Sequence, residues 1–121
     1  MSGSAAMAMT AAPAGLIDHA HLSRYTLGNR ALELEVLQLF AGQAPETLAS
    51  LSAAATAKDW HAAAHTLKGS ARCVGAFAIA AAAEETERIG PDNARRGELL
   101  ARLENLLTAT VRYIEALPAA A

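Results

Sequence analysis

The sequence predicts an all-α fold, an antiparallel up-down-up-down four-helix bundle with a short extra N-terminal helix. Three observations predict it. Alanine, the strongest helix former and a poor strand residue, supplies 32 of the 121 residues, against three valines, four isoleucines and five aromatics. Apolar residues then recur at three- and four-residue steps in four segments, the period of a helical stripe. The segments are joined by short connections, which makes sequential helices antiparallel neighbours. A chain of this length suits one domain and buries a self-sufficient core without disulfides or metal.

Residues 1–15 are small, uncharged and turn-prone, and are expected to be a flexible tail ahead of a domain over 16–118. A short helix is predicted from Leu16 to Leu27, with Asp18 as N-cap and Gly28 as the stop, covering one end of the bundle. Asn29 caps the first long helix, in which Leu34, Leu37, Ala41, Ala44, Leu48, Leu51 and Ala55 form the apolar stripe. Pro45 lies inside it and removes a backbone hydrogen bond, so a kink near Ala41 to Ala44 or a split is predicted, the kink being favoured because the apolar phase continues across it. Asp59 is the expected cap of the next helix, whose Trp60, Ala63, Ala64, Leu67, Ala71 and Val74 face the core and which Gly75 ends.

A fourth segment, Ala76 to Ile89, puts Ile79, Ala82, Ala83, Thr86 and Ile89 on one side, with Glu84, Glu85, Glu87 and Arg88 mostly on a solvated face. Gly90-Pro91 stops it. Asp92 or Asn93 is expected to start the last helix, whose stripe is Leu99, Leu100, Leu103, Leu106, Leu107, Ile114 and Leu117, ending before Pro118.

Composition excludes several functions. The formal net charge of −2 lacks the basic excess of a nucleic-acid binder. No uncharged apolar run reaches 18 residues, so no membrane-spanning helix is expected, and Met1 to Ala14 lacks the features of a signal peptide. A cytoplasmic domain is the expectation. The single cysteine, Cys73, forms no intramolecular disulfide and is expected to be a small buried apolar residue.

The four histidines, His19, His21, His61 and His65, are the side chains that titrate near neutral pH without special tuning. His19 and His21 belong to the short first helix, where a surface or end-packing role is expected. At about 100° per residue from Trp60, the residues Ala64, Leu67, Ala71 and Val74 stay within about 40° of it. On the same count His61, His65, Lys68, Gly69 and Arg72 fall between about 80° and 180°, on the outer face. Lys68, three residues beyond His65, reaches an anion held on its ring. Gly69 costs about 1 kcal/mol relative to alanine in a helix interior, a cost that an alanine-rich chain had no need to accept unless the space above it is used. An exposed imidazole beside bare backbone and a cation suits a histidine that carries a phosphoryl group and is approached closely by another protein.

The run Ala64-His65-Thr66-Leu67-Lys68-Gly69-Ser70-Ala71, followed by Gly75-Ala76, resembles the signature of histidine-containing phosphotransfer (HPt) domains of bacterial multistep phosphorelays. Leu39-Phe40, Leu48, Leu51, Lys58-Asp59-Trp60 and Glu87 extend the likeness from about residue 16 to 117. The resemblance implies a four-helix bundle without an ATP site. His65 would accept a phosphoryl group on Nε2 from the aspartyl phosphate of a receiver domain, as in a hybrid histidine kinase, and pass it to the aspartate of a response regulator receiver domain. The protein would hold no cofactor of its own, the Mg²⁺ being carried by the receiver, and would act as a monomer without ATP-dependent kinase activity. It further implies that Lys68 assists electrostatically and Gly69 clears the docking surface. Arg72 joins that face by helical phase. Phe77 lies opposite Ile79, where it is expected either beside Gly69 as a docking residue or buried against a neighbouring helix. Ala80 to Ala83 are expected to thin their packing layer.

Two rival readings remain at this point. One is the phosphoacceptor and dimerisation module of a histidine kinase, in which two chains form the bundle and an acidic residue normally follows the histidine; here Thr66 follows. The other is a pure interaction or metal-binding bundle in which His65 is incidental, the metal entering because His61 and His65 at i, i+4 can share an ion. No glutamate accompanies them in an HExxH arrangement, and Lys68 and Arg72 repel a cation. His61 is therefore read as a flanking residue that tunes the charge at His65 or contacts the partner.

Overall fold

A computed structural model of the chain describes residues 15–119. Apart from Gly15, the expected tail lies outside the described residues. Five helices carry the fold, with no strand among the described residues: α1 (His19–Thr26), α2 (Arg30–Ala53), α3 (Ala57–Cys73), α4 (Phe77–Ile89) and α5 (Arg96–Glu115). The helix α2 packs on α3, α3 on α4, α4 on α5 and α5 back on α2, closing a four-helix ring. Neighbours run antiparallel. Trp60, early in α3, donates its indole N–H to the carbonyl of Thr86, late in α4, at 2.8 Å. Gln38 shares a groove with Leu117, and Ser52 another with Glu104.

Local chemistry explains each boundary. Asp18 accepts from the His21 N–H and Asn29 from the Leu32 N–H, both at 3.1 Å, capping α1 and α2 as the sequence predicts. Helix α2 continues through Pro45 to Ala53, so the split does not occur. Because α2 ends there, Ala54 rather than Ala55 turns inward: Ala54 is buried and Ala55 exposed. The cap of α3 is Thr56, not Asp59. The Thr56 hydroxyl accepts from the Asp59 N–H at 3.1 Å, which leaves Asp59 in the first turn, where its charge complements the helix dipole. The start of α5 is also later than expected. Asn93 spends its side-chain oxygen on the Arg95 N–H at 2.8 Å within the preceding turn, and α5 begins at Arg96 with no side-chain cap.

The core is small-residue rich where α3 meets α4. Ala64, Ala71, Ala76, Ala80, Ala82 and Ala83 are buried in the same core as Trp60, Leu67 and Ile79, where these two helices pack together. Of the four alanines Ala80 to Ala83, three lie in this layer and Ala81 is exposed. The Leu99, Leu103, Leu107 and Ile114 stripe closes the core from α5, joined by Thr110, whose hydroxyl bonds back to the Leu106 carbonyl at 2.7 Å. Arg96 lies over the Trp60 ring at 4.8 Å and donates to the carbonyls of Ser52 (2.7 Å) and Ala54 (3.1 Å), tying the open end of α2 to the start of α5.

Helix α1 covers the end of the bundle at the α3–α4 turn. The Asp18 N–H donates to the Gly75 carbonyl at 2.9 Å, and Ile17 and Leu22 are buried. Gly75 has φ +78°, and a Cβ there would lie 2.7 Å from the Asp18 carbonyl oxygen, so the turn requires glycine on both counts. His19 hydrogen-bonds the Tyr113 hydroxyl, and His21 stands edge-on between Tyr25 and Phe77, which gives both histidines an end-packing role. Cys73 is exposed, contrary to expectation, because it lies on the side of α3 away from Trp60.

Candidate functional site

The outer face of α3 carries the site. His61 and His65, one turn apart, have side chains 63% and 66% exposed, and their rings lie nearly parallel with centroids 6.0 Å apart. Gly69 follows on this face, with nothing within 4 Å of the position a Cβ would take. The approach to the backbone is open.

The residue that organises this face comes from α4. Glu87, only 11% exposed, receives Lys68 Nζ on Oε1 at 2.6 Å, while Oε2 faces His65 Nδ1 at 3.2 Å and His61 Nε2 at 3.1 Å. The hydrogen bond from Lys68 holds the Glu87 carboxyl below the usual carboxylate value; partial burial opposes this, and the contact with His65 adds to it. An ionised carboxylate only accepts hydrogen bonds, so in this contact a neutral His65 ring has its proton on Nδ1 and its lone pair on Nε2. That is the nucleophilic tautomer for chemistry at Nε2.

Sequence reasoning placed Glu87 on a solvated face, and the structure corrects this. The signal was present but needed the topology. His65 lies ten residues before the Gly75 turn and Glu87 twelve after it, and residues nearly equidistant from the turn meet across an antiparallel helix pair. Glu87 also follows the buried Thr86, at the edge of the core face rather than opposite it.

The other expected site residues are placed as follows. Lys68 lies beside His65 but with its ammonium on Glu87, and its side chain is 15% exposed. Arg72 is exposed and pairs with Glu84 at 3.4 Å, which also receives Arg88 at 3.0 Å. Phe77 is partly exposed, with its ring 5.0 Å from that of His21, away from the open space at Gly69. The structure therefore brings together His61, His65, Lys68 and Glu87, leaves Gly69 open beside them, and sets Phe77 with α1.

Fold and site together define a helical bundle that presents a histidine held by a carboxylate on an accessible surface. A family model described as the Hpt domain matches residues 35–114, well over half of the chain, and the chain belongs to that family. Neither the curated proteins nor the solved structures gave a match. Membership carries histidine phosphotransfer in phosphorelays, with receiver domains of kinases and response regulators as the partners. No helix among the described residues is long and apolar enough to cross a membrane.

Proposed function

We propose that His65 is the phosphoacceptor of this chain, taking a phosphoryl group from a receiver-domain aspartyl phosphate, as on a hybrid histidine kinase, and delivering it to the aspartate of a response regulator. The observation that carries this reading is the contact of His65 Nδ1 with Glu87, which leaves the Nε2 lone pair available on a ring two-thirds exposed.

In the forward step the Nε2 lone pair attacks phosphorus, the N–P bond forms, and the P–O bond to the receiver's carboxylate breaks with its electron pair leaving on that carboxylate. No proton need leave the imidazole. The ring becomes cationic, its Nδ1–H still on Glu87, whose negative charge offsets the new positive one. Lys68 has three ammonium donors and spends one on Glu87, so two remain for phosphoryl oxygens at His65. Return transfer reverses these bonds on a second receiver, which also supplies the Mg²⁺. Gly69 admits that receiver to the ring, and Arg72 adds a cation at the edge of the contact.

A single chain contributes all four helices of the ring, which supports this reading over a dimeric kinase module. The chain is expected to be monomeric by light scattering. Incubation with a phosphorylated receiver domain, with detection of acid-labile phosphate, tests the assignment: wild type labels and His65→Gln does not. Equal labelling of His65→Gln would overturn it.

A further inference from the structure

The same three atoms that define the tautomer of His65 also form a ligand set. His61 Nε2, His65 Nδ1 and Glu87 Oε2 all lie within 4.8 Å of one another, the one such convergence of three ligating side chains among the described residues. Two imidazole nitrogens and one carboxylate oxygen, with the remaining position open to solvent, is a donor set suited to zinc. Lys68 holds Oε1 and so fixes the carboxylate with Oε2 toward both rings, the orienting role that outer-sphere hydrogen bonds have at metal sites. The repulsion expected from Lys68 and Arg72 is offset locally, since Lys68 is paired with Glu87 and Arg72 with Glu84. With neutral imidazoles the set of His61, His65, Lys68 and Glu87 has no net charge. Binding there rests on coordination by nitrogen rather than on field, which selects a borderline metal over a hard, oxygen-seeking ion such as Mg²⁺.

We propose that His61, His65 and Glu87 bind a divalent transition-metal ion of the zinc type, and that binding silences the phosphoacceptor. The second part rests on the phosphoacceptor reading above. A neutral imidazole has one N–H and one lone pair. When Nδ1 of His65 donates its lone pair to the metal, the proton formerly on Nδ1 resides on Nε2, exchanged through water, and the ring keeps the same proton count. Nε2 then has no lone pair with which to attack phosphorus. Without metal, Glu87 accepts the hydrogen bond donated by Nδ1–H, and the Nε2 lone pair is exposed. Carboxylate and metal thus select opposite tautomers of one ring, and His61 is the residue that adds the second nitrogen.

Zinc is titrated into the full chain in competition with a chromophoric chelator, and separately into the phosphotransfer reaction with Mg²⁺ held constant. Each variant is compared with and without zinc. One zinc per chain is expected. His61→Ala, which removes a 63% exposed side chain and so leaves the core intact, and Glu87→Gln each weaken binding at least tenfold. Zinc is expected to lower labelling of wild type severalfold, while the ratio with and without zinc stays near one for His61→Ala. Absence of binding, or binding that His61→Ala leaves unchanged, overturns the metal site while phosphotransfer stands. Binding that leaves wild-type labelling unchanged overturns the silencing. If wild type is not labelled even without zinc, the phosphoacceptor reading and the silencing fail together, and the metal site stands or falls on the chelator competition alone.

Discussion

Glu87→Gln tests the role given to the carboxylate. The substitution keeps the side-chain shape and one oxygen able to accept a hydrogen bond from the His65 Nδ1–H, removes the charge, and replaces the oxygen that receives Lys68 by an NH2 group. Phosphorylation makes the ring cationic, so the cost falls on the phosphorylated state. Two unit charges at the observed 3.2 Å interact by about 1.3 kcal/mol in water and several-fold more in a protein-like medium. Because the His65 side chain is 66% exposed, the water end of that range applies, about 1 to 2 kcal/mol. At 1.36 kcal/mol per factor of ten, the equilibrium between aspartyl phosphate on the receiver and phosphohistidine shifts roughly tenfold toward the receiver. The assay is the partition of label between the two proteins at equilibrium, read with both at fixed concentration. Onward transfer from phosphorylated Glu87→Gln to a second receiver is not slowed, since the same charge that is lost stabilised the departing state. A purely structural role for Glu87 leaves the partition where it was. A partition within twofold of wild type refutes the reasoning.

Other outcomes follow from the same geometry. Gly69→Ala leaves stability unchanged or raises it by up to about 1 kcal/mol in urea denaturation, whereas Gly69→Trp slows transfer with an unchanged far-UV spectrum, because the space above Gly69 is open. Gly75→Ala destabilises by about 1 to 3 kcal/mol in the same denaturation assay, since the turn has φ +78° and the added Cβ meets Asp18 backbone. Trp60→Phe costs about 1 to 3 kcal/mol by leaving the buried Thr86 carbonyl without its indole donor. Arg95 holds the carboxyls of both Glu85 and Glu98 below their ordinary value of 4.5. Their contribution to stability is complete above about pH 4.5 and is lost as pH falls through the lowered folded values, so Arg95→Gln flattens the acid limb of a stability–pH profile.

The sequence by itself determined the helices, their order and their inward faces. Alanine content and three- and four-residue periodicity are local properties, so Trp60, Leu67, Leu99 and Leu103 were legible as core without any knowledge of what they touch. So were the Asp18 and Asn29 caps, whose hydrogen bonds close within three residues. The errors arose where two local solutions competed: Thr56 displaced Asp59, and Asn93 was used by its own turn. The outer placement of His65, Lys68 and Gly69 was likewise a matter of phase along one helix.

What only the tertiary structure decided is how that face works. Glu87 lies 22 residues from His65 in sequence and on another helix, and its position between Lys68 and two histidines follows from the antiparallel pairing about Gly75 and the packing of α3 on α4. The proton on His65, the anchoring of Lys68 and the meeting of three ligating atoms all depend on that one carboxylate. Helical phase says which way a side chain points. Its electrostatic partner is set by the neighbouring helix, and a single helix has no means of specifying it.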